Sequence, residues 1–213
     1  MHQELGNNLL LFFLSKQKFK ERGNMGLDID YFKNPEFLID HIDPDEDYGD
    51  KKFISRMGLS SDQSIVHVFA YKGLAEHLAP FPLIERSPQE SSKIVYAGFY
   101  TAIRIGRFHA GSYSGYNMFR EQLCNQVLGI HPETIWEHFD EYKSEPFAWL
   151  INFADNEGCI GPEKCAILRE DFASHTMPEK WNNPELNSWN EFFVKQWNNW
   201  NSCFQEAELV EFG

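Results

Sequence analysis

Basic residues are scarce in this chain, and no local cluster makes up the deficit. Nineteen lysines and arginines stand against 32 aspartates and glutamates, a formal charge of −13 over 213 residues. Nucleic acid and anionic membrane are therefore not expected partners, because phosphate contacts need a basic face. Cysteine is sparse as well. Cys124, Cys159, Cys165 and Cys203 form no C-x-x-C pair. Neither a disulfide framework nor a zinc site is expected, and reduced thiols in a soluble cytoplasmic protein are the better reading. Long apolar runs are missing too. Residues 9–14 (LLLFFL) are six apolar residues, where a membrane helix needs about 20. No basic segment precedes them and no small-residue cleavage site follows, which argues against a signal peptide.

Catalytic signatures are equally absent. The sequence holds no G-x-S-x-G elbow, no H-E-x-x-H helix and no G-x-x-x-x-G-K-[ST] phosphate loop. Asp43, Asp45 and Asp47 are spaced like the start of a calcium loop. Tyr48 stands where that loop needs glycine and Ile54 where it needs glutamate, so an EF-hand is rejected. No metal and no particular cofactor is indicated.

What is present is material for a core. Hydrophobic residues make up 42% and aromatics 15% of the chain, enough for one folded domain and too much for disorder. The start of that domain is expected near Met25. Residues 20–24 (KERGN) can be encoded by a purine-rich run resembling a ribosome-binding site, and Met25 follows directly. Residues 1–24 are then a leader, residues 25–213 a single domain, and the intact mass of natively expressed protein distinguishes this from a loosely packed extension.

Patterning along the chain predicts an α+β fold with a mixed or antiparallel sheet, about four helices, and a mainly helical C-terminal half. Residues 26–32 (GLDIDYF) alternate apolar and acidic, and residues 64–70 (SIVHVFA) are β-branched and aromatic, so both read as strands. Residues 93–108 read as strand, with Gly98 and Gly106 suggesting two strands and a bend. Residues 41–52 and 80–92 read as loops, and 73–79 as a short helical turn. Helices are predicted over 115–128, 132–142, 162–173 and 185–207. Their boundaries come from Gly129, Pro132 and Pro162, and from Trp189, Phe193, Trp197, Trp200 and Phe204 at helical spacing. Residues 147–153 (FAWLINF) read as a buried strand.

Polar chemistry concentrates in two stretches. In 111–117 (GSYSGYN) a strand runs through glycines into a helix, so backbone N–H groups and the positive end of the helix dipole can meet an anion. Ser112 or Ser114 can cap that helix, and the equally simple reading is a well-capped helix after a tight turn. Arg107, His109, Ser112, Tyr113, Ser114, Gly115, Asn117 and Arg120 are the candidate binding residues there. In 152–162 (NFADNEGCIGP), 41 residues further on, Asp155, Asn156 and Glu157 gather before Pro162 and could take hydroxyl or amine groups of the same ligand. They could equally be solvated turn-formers. Cys159 is a nucleophile only if the fold supplies a base such as His109.

With MGLDI at 25–29, GSYSGYN followed by Phe119 and Arg120, and NFADNEG followed by IGP at 160–162, the chain resembles a family of hypothetical proteins of bacteria and their phages. The resemblance covers roughly residues 25–213, agrees with a start at Met25, and implies no function that can be carried over.

The leading expectation is a small-ligand-binding protein, for a nucleotide or another phosphate-bearing metabolite, with a phage-encoded origin as one option. One alternative is a hydrolase or transferase using His109, Asp155 and Glu157, with or without a divalent metal. Another is an acidic interaction or inhibitor protein that presents its charge to a basic partner.

Overall fold

The computed structural model describes residues 26–39, 59–60, 62–68, 98–153, 158–178, 181 and 189–213. Five strands form one antiparallel sheet: β1 (Asp28–Ile39), β2 (Gln63–Val68), β3 (Gly98–His109), β4 (Gly158–Ile160) and β5 (Leu209–Phe212). Their order is β2-β3-β1-β5-β4. Among the described residues six helices lie between them in sequence: α1 (Tyr113–Val127), α2 (Pro132–Glu137), α3 (Phe139–Tyr142), α4 (Ala148–Asn152), α5 (Pro162–Ser174) and α6 (Asn190–Glu206). The α+β expectation holds, with helices filling most of the C-terminal half. Among the described residues no helix is long and apolar enough to cross a membrane.

Alternation along β1 divides the sheet. Ile29 pairs with Phe108 and Phe212, and Tyr31 with Val210. These side chains meet the helices, and Ile29, Val210 and Phe212 are buried with Tyr116, Phe119, Leu123, Phe193, Trp197, Trp200 and Phe204 in the main core. Asp28 and Asp30 point to the opposite face. Further along that second face Phe32, Val66, Tyr100, Ala102, Cys159 and Leu209 form a smaller buried cluster.

The aromatic stripe of α6 is core along Phe193, Trp197, Trp200 and Phe204, while Trp189 at its start is exposed. Trp200 stacks on Phe204 and Phe212 and meets Phe108 edge-on. The orphan carbonyls at the C-terminus of α6 are taken by Arg169 of α5. It donates from Nε to Phe204 O (2.8 Å) and from Nη2 to Ala207 O (2.9 Å), the contact a helix end requires when water is excluded.

Several local expectations are corrected. Residues 147–153 do not form a strand. Phe147 sits in the left-handed region (φ 59°), gives its N–H to Asp171 Oδ2 at 2.8 Å, and opens the short helix α4. An apolar run of this length carries no periodicity that separates a buried strand from a buried helix turn. The expected helix 132–142 breaks at His138 (φ −130°, ψ 39°) into α2 and α3. Of the predicted 93–108, residues 93–97 lie outside the described residues, and from Gly98 on β3 is a single strand, with register shifts opposite Tyr31/Phe32, Lys33/Glu36 and Phe37/Ile39. Gly106 lies opposite Tyr31, and a Cβ there would overlap the Tyr31 ring. The short strands β4 and β5 were not anticipated. The expectations for 1–24, 41–52, 73–79 and 80–92 lie outside the described residues.

Candidate functional site

The two polar stretches reach one end of the sheet. His109, at the end of β3, pairs with Asp28 at the start of β1. Asp28 in turn exchanges backbone bonds with Gly213, N–H to O in both directions at 3.0 Å. On the next strand Phe212 pairs with Gly158, the first residue of β4. The row from His109 to Gly158 thus crosses three strand spacings, about 14 Å. A second link runs through Arg120 on α1, which donates from Nη1 to the carbonyls of Ile151 (3.0 Å) and Phe153 (2.6 Å). Phe153 and Gly158 bracket residues 154–157 inside the second stretch. Asp155, Asn156 and Glu157 themselves lie outside the described residues.

The second entrance differs from the expected strand–loop–helix pattern. It is preceded by α4 rather than a strand, then passes through β4 to Gly161 and the start of α5. The parallel between the two stretches therefore rests on their position at the sheet end.

In the first stretch Ser112 is the N-cap. Its extended backbone (φ −70°, ψ 162°) lets its Oγ accept from Gly115 N–H at 3.1 Å. The hydroxyls of Ser112 and Ser114 are 3.0 Å apart. The first-turn N–H groups of Tyr113 and Ser114 meet no acceptor among the described residues, and both side chains are exposed. The glycines have a packing role. At Gly111 (φ +96°) a Cβ would lie 2.9 Å from the ring of Phe192, and at Gly115 3.3 Å from it. Phe192 of α6 fills the space that a side chain at either position would need.

Three arginines that composition alone leaves available are already engaged. Arg107 grips Asp30 with both ends of its fork, Nε to Oδ1 at 2.7 Å and Nη2 to Oδ2. Arg104 reaches the same Oδ1 at 3.4 Å. The bond to Asp30 pushes the Arg107 guanidinium further up. Smaller burial opposes this, and the charges of Asp30, Asp28 and Glu211 add to it. Arg120 is only 6% exposed. Besides the two carbonyls it meets Asn117 Oδ1 through Nη2, and its guanidinium lies 5.1 Å from the Tyr116 ring centre and 5.3 Å from that of Trp136. Its Nε has no partner. As placed, Arg120 satisfies the end of α4, where Trp136 Nε1 also donates to Ile151 O at 3.1 Å.

His109 is the freer group. Its Nδ1 lies 3.1 Å from Asp28 Oδ1, and its side chain is 52% exposed. An ionised carboxylate only accepts, so Nδ1 carries the proton of the neutral ring and Nε2 is left as the acceptor. Asp28 was not among the candidates, although the alternation in GLDID already set Asp28 and Asp30 on one face. The missing piece was that residue 109 lies opposite residue 28, which only strand pairing decides.

The cysteines are inert. All four are buried and reduced. Burial pushes the Cys124 thiol up to about 11. It pushes those of Cys159, Cys165 and Cys203 up as well, with Glu211 adding at Cys159. A thiol held protonated in this way is a poor nucleophile. No group of three or more His, Cys, Asp or Glu suited to a metal ion occurs among the described residues.

Compared with models of protein families, with curated proteins and with solved structures, the chain matches none.

Proposed function

We propose that the protein binds a small polar ligand bearing a phosphate or similar oxyanion, a nucleotide among them, at the rim of His109, Ser112, Tyr113 and Ser114. The observation that carries this reading is the pair of first-turn N–H groups of α1 that meet no acceptor among the described residues. These N–H groups, of Tyr113 and Ser114, open a 15-residue helix beside the bonded hydroxyl pair of Ser112 and Ser114, 3.0 Å apart, and His109, three residues before Ser112, offers Nε2 as an acceptor. Helix starts favour anions through exactly oriented N–H groups and the helix dipole, each contribution worth about 0.3–1 kcal/mol at an exposed site. Because Arg107 and Arg120 are committed elsewhere, modest affinity is expected, with ligand hydroxyl or amine groups adding to it.

The test is a thermal-shift series with inorganic phosphate, nucleoside mono-, di- and triphosphates, and sulfate, joined to native mass spectrometry of protein purified from its host. A ligand at 100 times its Kd should stabilise by about 2.7 kcal/mol. A flat response across the panel, with only the bare chain in the mass spectrum, overturns the reading.

One observation favours a second reading. The Asp28–His109 pair leaves Nε2 as an unbonded acceptor, as a general base requires, so a hydrolase or transferase would use Asp28 with His109. Turnover of a bound ligand that is lost in His109→Gln decides for it, and binding without turnover decides against it.

A further inference from the structure

We infer that Gly26 is a positioning residue for His109, and that the absence of its side chain seats the ring so that Nδ1 meets Asp28 and Nε2 is the nitrogen left to a ligand. This rests on the binding reading above. A Cβ at Gly26 would overlap Cε1 of His109 and lie 2.8 Å from Nε2, with the carbonyl oxygen of Gly111 3.2 Å away. The imidazole therefore occupies the volume that any other residue at 26 would fill. The backbone around it has little room to yield. Leu27 N–H donates to Gly111 O and Ala110 N–H to Leu27 O, both at 2.8 Å, while Leu27 and Ala110 are fully buried. A side chain at 26 must then displace the ring rather than the chain.

The consequence is chemical. With the ring lying against Gly26, Nδ1 reaches Asp28 Oδ1 at 3.1 Å. The carboxylate accepts a hydrogen bond from Nδ1–H, and Nε2 presents a lone pair. No described group bonds Nε2. A neutral His109 held this way accepts a hydrogen bond, so it recognises a ligand hydroxyl, an amine or a singly protonated phosphate rather than a fully ionised oxyanion. Gly26 and Asp28 flank Leu27 on one strand start, and together they set the sense of the bond that His109 offers.

Nitrogen-15 NMR of the imidazole, at a pH where the ring is neutral, tests this directly. The wild-type protein should show His109 with its proton on Nδ1. Asp28→Asn should lose that preference. Gly26→Ala should lose it to the same degree, because the displaced ring no longer reaches Asp28, while Gly26→Ala paired with His109→Ser should recover wild-type thermal stability. A wild-type ring protonated on Nε2, or Gly26→Ala retaining the wild-type nitrogen pattern, overturns the inference. If Gly26→Ala alone does not fold, the double variant still decides, and failure of Gly26→Ala with His109→Ser to recover stability overturns the inference. A flat response to the phosphate panel would remove the ligand and leave this nitrogen signature as an independent reading of Gly26.

Discussion

Replacing Arg120 by alanine should destabilise the protein by about 2–4 kcal/mol, even though the residue lies in the stretch proposed to meet a ligand. Arg120 donates to Ile151 O and Phe153 O at 3.0 and 2.6 Å and is 6% exposed. A hydrogen bond from a charged donor contributes about 1.5–3 kcal/mol net, and a buried carbonyl left without a donor adds its own desolvation cost. Ile151 O keeps the Trp136 indole at 3.1 Å, so Phe153 O is the acceptor left stranded. One effect works the other way. The guanidinium is buried with no carboxylate against it among the described residues, and removing a buried charge recovers several kcal/mol of desolvation. The bonds should win, because the acceptors are fixed backbone and the variant leaves a cavity between Tyr116 and Trp136. At about 2–4 °C per kcal/mol for a chain of this length, Tm should fall by roughly 4–16 °C. Arg120→Lys should fall between the two, since one ammonium cannot span two carbonyls and Asn117 as the planar fork does. Urea denaturation followed by tryptophan fluorescence measures both. A loss below about 1 kcal/mol for Arg120→Ala at unchanged m-value would refute the assignment, and Arg120 would return as a group free to meet the ligand.

Further expectations follow from the same contacts. Gly111→Ala should lose about 1–2 kcal/mol in urea melts, because φ +96° is unfavourable with a Cβ and the added carbon meets Phe192 at 2.9 Å; equal stability would show that neither strain nor crowding acts there. Arg169→Gln should lose about 1–3 kcal/mol by releasing the carbonyls of Phe204 and Ala207, with amide exchange rising first at the end of α6. Burial, only partly offset by the Phe147 N–H and His175, holds the Asp171 carboxyl above its ordinary value. The folded state then binds that proton more tightly than the unfolded chain, so the contribution is present below the ordinary carboxyl value and lost as pH rises through the raised one. Relative to Asp171→Asn, wild type should therefore lose stability as pH rises through that window, and the opposite slope in urea titrations would contradict the sign. The four buried thiols should resist a disulfide reagent at pH 8 until the chain is denatured, when all four react; rapid native labelling of Cys159 would reopen it as a nucleophile.

Features that depend on near neighbours in the chain were readable from the residues alone. Pro132, Pro162 and Gly129 mark α2, α5 and the end of α1 because their backbones act locally. The spacing of Phe193, Trp197, Trp200 and Phe204 marks a helix with one buried face. A serine cap at the start of α1 was readable as Ser112 or Ser114, and the structure selects Ser112. Short elements were not readable: β4 has three residues and β5 four, too few for alternation to register. Residues 147–153 misled because seven apolar residues suit a buried strand and a buried helical turn alike.

The sequence by itself determined the α+β class, the acidic charge, and the serines and glycines at the start of α1. Only the tertiary structure decided which polar groups remain available, because that depends on partners far away in the chain. Asp28 claims the Nδ1 of a histidine 81 residues away, Asp30 claims Arg107, and the carbonyls of Ile151 and Phe153 claim Arg120. A charge that is free in the sequence is free in the protein only if strand pairing and helix packing bring no acceptor to it.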